Sequence, residues 1–418
     1  MMWGVYLVVL NCLVPSIVAH VCLNTTQYSA CSSNIACGCL ILADGTNDGI
    51  CSYLYTACSE LNACALNNRM CLESDHTCVQ HPRCGNKPLC FPTSMSTQAF
   101  CPPISSTTID PSLPHDGICA QTKWKRDGII VATDVDGSDS NEVRPSAIFV
   151  DESDAIYVAD HANKRIVKWE TGATKGQVVA GGHGDGNAND QFTDVRSIVV
   201  DKNGTMFICD RGNRRVQQWV KSANQASTVL DDILCFGLAL DNEGSLYISD
   251  GAHDRVIKWP SNETVAGGHS VGFDLNQLND PRQIFVDRHK SVYVVDGYNY
   301  RIVKWPSGAQ EGIVVAGGNG EGVGKSQLSY PNGVVTDDSG TVYVLDYGND
   351  RVTRWFPNAP SGILILGRPG FNDPDDTSVI YRSIDMTMDR HGNLYVVDIM
   401  NERILKFLID KSACIQSN

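Results

Sequence analysis

At 418 residues and 45.5 kDa the chain has room for roughly two to four domains and a substantial core, which excludes general disorder. A formal charge of −14, with only 19% charged residues, excludes the basic field that captures nucleic-acid backbones or anionic lipid. Thirty-seven glycines and 17 prolines against 42% hydrophobic residues point to tight turns between short elements, as in an all-β chain.

Residues 5–19, VYLVVLNCLVPSIVA, form an apolar run of signal-peptide length ending in the small Ala19, so residues 1–19 read as a secretory signal. A basic n-region is missing, which leaves an uncleaved anchor as the alternative, although the run is shorter than the ~20 residues of a membrane span. No later segment is long enough to span, so no membrane span is expected after cleavage. Of 17 cysteines, Cys12 leaves with the signal and 16 remain, an even number suited to full pairing in an oxidising compartment. Twelve of them lie between Cys22 and Cys101. Residues 20–101 are poor in Leu, Ile and Val and read as a small disulfide-stabilised domain. No Cys-x2-Cys pair presents two thiolates to one zinc ion, and no metal or other cofactor is expected. Residues 102–123, rich in Pro, Ser and Thr, read as a linker. Sequons at Asn24, Asn203 and Asn262 fit a secreted glycoprotein.

From residue 128 the chain repeats with a period of 40 to 52 residues. The strongest lines are IYVADHANKRIVKW (156–169), MFICDRGNRRVQQW (206–219), LYISDGAHDRVIKW (246–259), VYVVDGYNYRIVKW (292–305), VYVLDYGNDRVTRW (342–355) and LYVVDIMNERILKF (394–407). Ahead of each stands a short apolar run ending in an acid, such as SAIFVD or RQIFVD, and several copies carry a VVAGG segment. Four β-prone segments per copy, here called a to d, predict one antiparallel propeller blade each, and six copies predict six blades over 124–418. The first d-like segment, 128–134, precedes the first strand a, and the last copy stops after strand c. The N-terminal strand is therefore expected to close the ring as the outer strand of blade six, hiding two sheet edges.

With its D-x-x-N-x-R-[IV] core, the region 128–409, about two-thirds of the chain, resembles the NHL-repeat family, which implies a six-bladed propeller. Every copy pairs an Asp with an Arg five residues later: Asp160/Arg165, Asp210/Arg215, Asp250/Arg255, Asp296/Arg301, Asp346/Arg351 and Asp398/Arg403. A catalytic group would appear once, so these are expected to be structural, partly exposed pairs at the b–c hairpin. The recurring Trp169, Trp219, Trp259, Trp305 and Trp355 are expected to pack between blades.

Function is then sought where the repeat varies. Five residues before the strand a acid stand Ser146, Arg196, Phe236, Arg282, Asn332 and Ile384, on the same upper face as the b–c turns that bear Arg211, Tyr298 and Tyr347. Cations and aromatics of this kind recur at binding hot spots. The candidate ligand-binding set is Arg196, Arg211, Phe236, Arg282, Tyr298, Asn332 and Tyr347, expected to take an acidic or carboxylate-bearing partner. Two disulfides are expected in the propeller, Cys119 to Cys414 across the ring closure and Cys209 to Cys235 between neighbouring blades.

The nearest enzymatic resemblance is to the peptidylglycine amidating lyase, through the Tyr298 and Arg211 segments and His253. Their order is reversed, and one histidine cannot hold a catalytic zinc. A lactonase would need channel acids and amides, for which Asp385 and Asn332 are a thin supply. The residues favour a secreted, extracellular, non-enzymatic protein that binds a protein, peptide or glycan; a lyase-type or lactonase-type propeller enzyme is the alternative.

Overall fold

The computed structural model describes residues 21–22, 37–42, 49–53, 61–64, 71, 76–79, 88–92, 118, 122–132, 135, 143–367, 373 and 375–412. Asn24, Cys119 and Cys414, and the expected signal at 1–19, lie outside the described residues. The chain divides into two compact units, Met1–Leu113 and Pro114–Asn418.

In the first unit, the described strands form two three-stranded sheets. Its described bridges are Cys64–Cys78 and Cys71–Cys90, with Cα separations of 5.9 and 5.5 Å. Cys64, Cys71 and Cys90 lie close enough to suggest a metal cluster, but all three are spent in these adjoining bonds.

The second unit is all-β, with short 3-10 turns, and its described residues form six four-stranded antiparallel sheets. In the first sheet the strands are Pro145–Val150 (a), Ile156–Asp160 (b), Arg165–Trp169 (c) and Gln177–Gly181 (d), paired in that order. The other inner strands are Val195–Val200, Cys235–Leu240, Pro281–Val286, Pro331–Thr336 and Asp385–Met388. Each neighbours the next, and the sixth neighbours the first, so the inner strands surround a central channel. Ile129–Val131 pairs with Arg403–Phe407 as the outer strand of the sixth sheet. Lys123–Trp124 adds a short pair with Ile409–Asp410. The fold is a β-propeller.

The core lies between the sheets, because inward and outward residues of each central strand face neighbouring blades and both need to be apolar. Trp169, Trp219, Trp305 and Trp355 are buried in four such layers, and Phe407 takes the same place in a fifth. Trp259 is half-buried.

The six Asp–Arg pairs all form, at 2.7–3.2 Å. Five are buried, which corrects the expectation of partly exposed pairs. The reason is the d-to-a connector, which folds over them. Arg301 donates Nε to Asp296, and its remaining nitrogens to the carbonyls of Phe273, Asp274 and Gln277. Arg215 and Arg351 repeat this on their own connectors. Asp296 in turn accepts from Asn299 and from the Asn279 amide, so one carboxylate ties turn, strand and connector together.

The third sheet is the exception. The connectors at 182–194, 268–280 and 318–330 have thirteen residues, whereas only 232–234 separate the second sheet from the third. Arg255 finds no connector carbonyl and its side chain is 33% exposed. At this junction Cys209 is bonded to Cys235, with Cα atoms 5.9 Å apart. Closing a 26-residue loop, that bond supplies about 3–4 kcal/mol of loop-closure stabilisation.

Two tests follow from this arrangement. Arg301→Ala strands a buried carboxylate and three carbonyls and is expected to cost about 3–5 kcal/mol in urea unfolding. Arg255→Ala should cost about 1 kcal/mol or less, so equal losses would refute the connector argument. The disulfide expected from the sequence between Cys119 and Cys414 lies outside the described residues. Peptide mapping without reduction is expected to recover that bond; finding either thiol free overturns it.

Candidate functional site

Strand a begins beside the end of strand b, as shown by Pro281 opposite Asp296, so strand a starts and b–c turns share the upper face. Arg282 stands at its centre. Its Nε donates to Asp280 at 2.8 Å and its NH1 nitrogen to Asn332 Oδ1 at 2.8 Å. Its guanidinium lies 5.8 Å from the Phe236 ring and 5.7 Å from the Tyr298 ring. Arg211, from the second sheet, also lies over the Phe236 ring, at 5.9 Å. Asn332 continues the line by donating to the Ile384 carbonyl at 3.1 Å. Side chains from the second to the fifth sheets thus form one belt that ends on the sixth.

Local sequence makes the belt possible. The b–c turn places Arg211 and Tyr347 directly after the strand b Asp, but the fourth sheet has Gly297 there. A Cβ at Gly297 would meet Arg282 Nε at 2.8 Å, so glycine is what lets Arg282 lie against the turn beneath Tyr298. Tyr298 itself is 51% exposed and packs edge-on against Tyr330 at 6.1 Å.

Two nominated residues stand apart from the belt. Arg196 is held by Asp194 at 2.9 Å. Burial alone would raise the Asp194 carboxyl, but His161 and Arg196 outweigh it and hold it at about 2. Tyr347 lies against the Arg382 guanidinium at 5.2 Å. The upper face is therefore less positive than a count of its arginines suggests, since Arg196 and Arg282 each face an Asp. Arg211 differs: its Nε is buried and makes no hydrogen bond to the described residues.

His253 makes the contact of a repeated turn residue. It occupies the position of the repeated Asn, and its Nδ1 contacts Asp250 Oδ2 at 2.7 Å, as Asn299 and Asn349 do with their own aspartates.

One step further into the channel, four residues before the strand a acid, the series reads Ala147, Ser197, Gly237, Gln283, Gly333 and Asp385. Gln283 Nε2 donates to Asp385 Oδ1 at 3.0 Å, from the fourth sheet to the sixth. It passes sheet five where that sheet has only Gly333, and a Cβ at Gly237 would strike Gln283 Oε1 at 2.8 Å. Asp385 also accepts from the amides of Ile148 and Met386, both at 2.9 Å. Ser197, Gln283 and Asp385 together were missed as a set by the sequence reading; the signal was a large polar residue alternating with Gly at a channel position.

These observations can be set beside known proteins. The NHL repeat family matches residues 328–355, the fifth copy of the repeat. That copy is an NHL repeat. No curated protein sequence matches the chain. Among solved structures it is similar to an auxiliary nutrient binding protein from Bacteroides thetaiotaomicron VPI-5482, at 14% identity and TM-score 0.52, over 68% of this chain and 76% of that one. A structural genomics protein of unknown function from the same organism aligns at 12% identity and TM-score 0.54, over 87% and 94%. An auxiliary nutrient binding protein from Bacteroides ovatus ATCC 8483 aligns at 10% and 0.52, over 87% and 94%. At such identities the likeness is one of fold.

Burial pushes the Asp385 carboxyl up to about 7, against the three donors that favour its charged form. A folded-state value above the unfolded one means that the native protein holds the extra proton, so this group's stabilisation is complete at low pH and is lost as pH rises towards 7. The melting temperature is expected to fall between about pH 4 and 7 and to level off above that, and this slope should disappear in Asp385→Asn. A slope unchanged in the variant would assign it elsewhere.

Proposed function

We propose that the chain is a secreted, non-enzymatic interaction protein, in which a six-bladed propeller closed by an N-terminal strand follows a small disulfide-rich domain. Its upper face is the binding platform. The reading rests on the belt of Arg211, Phe236, Arg282 and Tyr298, in which cations and aromatic rings stack on one another and leave Tyr298 half-exposed at the surface. Alternating cations and rings preorganise a surface at low entropic cost, and such residues dominate binding energies elsewhere. An acidic or carboxylate-bearing peptide or glycan suits it, because Arg211, unlike Arg196 and Arg282, faces no carboxylate among the described residues.

Several features support an extracellular setting. The described bridges belong to a non-cytoplasmic compartment. Among the described residues no helix is long and apolar enough to cross a membrane. Asn203 and Asn262 are both exposed, as N-glycosylation requires.

The test compares wild type with Arg211→Ala/Tyr298→Ala for binding to immobilised acidic peptides and uronic-acid oligosaccharides. Neither residue belongs to a repeated Asp–Arg pair, so the melting temperature should hold. Affinity for the captured probe should fall at least tenfold, on the order of 1.4 kcal/mol. Undiminished capture by the double variant would remove the upper face as the platform.

A further inference from the structure

Below the Gln283–Asp385 crossing the channel opens into a funnel of about 930 Å3 on the face opposite the belt, among the turns that join strands a and b. That volume lies within the range of small-molecule sites. Its walls mix apolar and polar groups, the apolar share slightly the larger. Phe149 and Phe285, from sheets three positions apart and hence on opposite sides of the ring, are half-buried in the lining, as are Leu240 and Met388. From Asp385 to the turn acid Asp389 the strand rises about 13 Å, which sets the depth.

The floor is chemically unusual for this protein. Each of the six strand b aspartates faces an arginine, and Asp241, Asp287 and Asp389 each face a lysine. Asp385 is equally buried, and among the described residues it has no cationic partner. Above its titration near 7 it holds an uncompensated negative charge, the situation that burial penalises most. Four of the eight carboxylates in the lining, Asp241, Glu243, Asp338 and Asp389, pair with cations outside it, so the uncompensated charge at the floor is that of Asp385 itself. An anionic ligand is thereby disfavoured, and a neutral one would leave the Asp385 charge as it was.

We propose that this funnel binds a small organic cation, an amine on an aromatic or branched aliphatic body, which enters between the a–b turns and sets its ammonium group against Asp385. The body fills the space between Phe149 and Phe285, whose ring faces attract the cation as it passes. Gln283 Oε1, which makes no hydrogen bond to the described residues, accepts a second ammonium proton. The site is independent of the upper platform, being on the other side of the crossing.

The experiment is titration calorimetry at pH 8 with three probes of one size and different charge: 2-phenylethylamine, 2-phenylethanol and phenylacetate. The amine is expected to bind about tenfold or more tightly than the alcohol, and phenylacetate not at all. Asp385→Asn should bring amine and alcohol to the same affinity, and Phe285→Leu should weaken the amine severalfold while leaving the charge preference. Should Asp385→Asn fail to fold, the wild-type comparison still decides. The alcohol binding as tightly as the amine, or none of the three binding at millimolar concentration, overturns the proposal. Arg211→Ala/Tyr298→Ala should leave amine binding unchanged, so the two sites stand or fall separately.

Discussion

Everything in the propeller hangs on one carboxylate used six times. The Asp that ends strand b accepts an arginine from strand c, and where the full repeat is present it also accepts an asparagine from the turn and an amide from the connector arriving from the previous sheet. Burial of a charge is tolerable only when its hydrogen-bonding capacity is filled, and here it is filled by three chain segments that would otherwise be free to separate. Burial raises the carboxyls of Asp296, Asp346 and Asp398 in spite of those donors. The pair therefore serves specification: the geometry that satisfies it also fixes where the next inner strand begins. Where the short 232–234 connector cannot supply carbonyls, a covalent bond between Cys209 and Cys235 stands at the same junction.

With the repeated residues committed to holding the ring, chemical individuality is left to the positions that face the channel. Two successive positions on strand a do different things. The upper one carries Phe236, Arg282 and Asn332, which join into a lateral belt. The next carries Gln283 and Asp385, which close the lumen and divide it into an upper mouth and a lower funnel. Glycines at the same two levels are the counterpart of these large side chains, since each long residue needs an empty neighbour to lie across.

The repeat was legible in the sequence because periodic chemistry survives without knowledge of any contact: six Asp–Arg spacings and five tryptophans announce one strand order. The exposure of those pairs was not legible, since it depends on the connectors, whose sequences carry no regular apolar pattern and whose carbonyls have no side-chain signature. In the candidate site, Arg211, Phe236, Arg282, Tyr298 and Asn332 come together, as unlike residues at shared positions suggested. Their electrostatics could not be read in the same way. Asp194 and Asp280, two residues from Arg196 and Arg282, look like ordinary connector acids until the backbone turns them inward. The lower funnel was hidden for a different reason. Phe149, Leu240 and Met388 belong to the same alternating pattern as the core, and only the splay of the sheets shows that they face a space.

The joining of Ile129–Val131 to Arg403–Phe407 has a consequence for synthesis. Val131 pairs with Ile404, 273 residues later. At about 5–20 residues per second, the early strand waits roughly 14–55 s for its partner to be made. During that interval the growing chain is an open arc with an unpaired edge at each end, and every added sheet lengthens the arc without removing either edge. Nascent protein in this state is a natural client for chaperones that cover exposed strands. Truncation anywhere before residue 403 would leave the arc open, so such a fragment should be lost to aggregation or degradation instead of persisting as a smaller propeller.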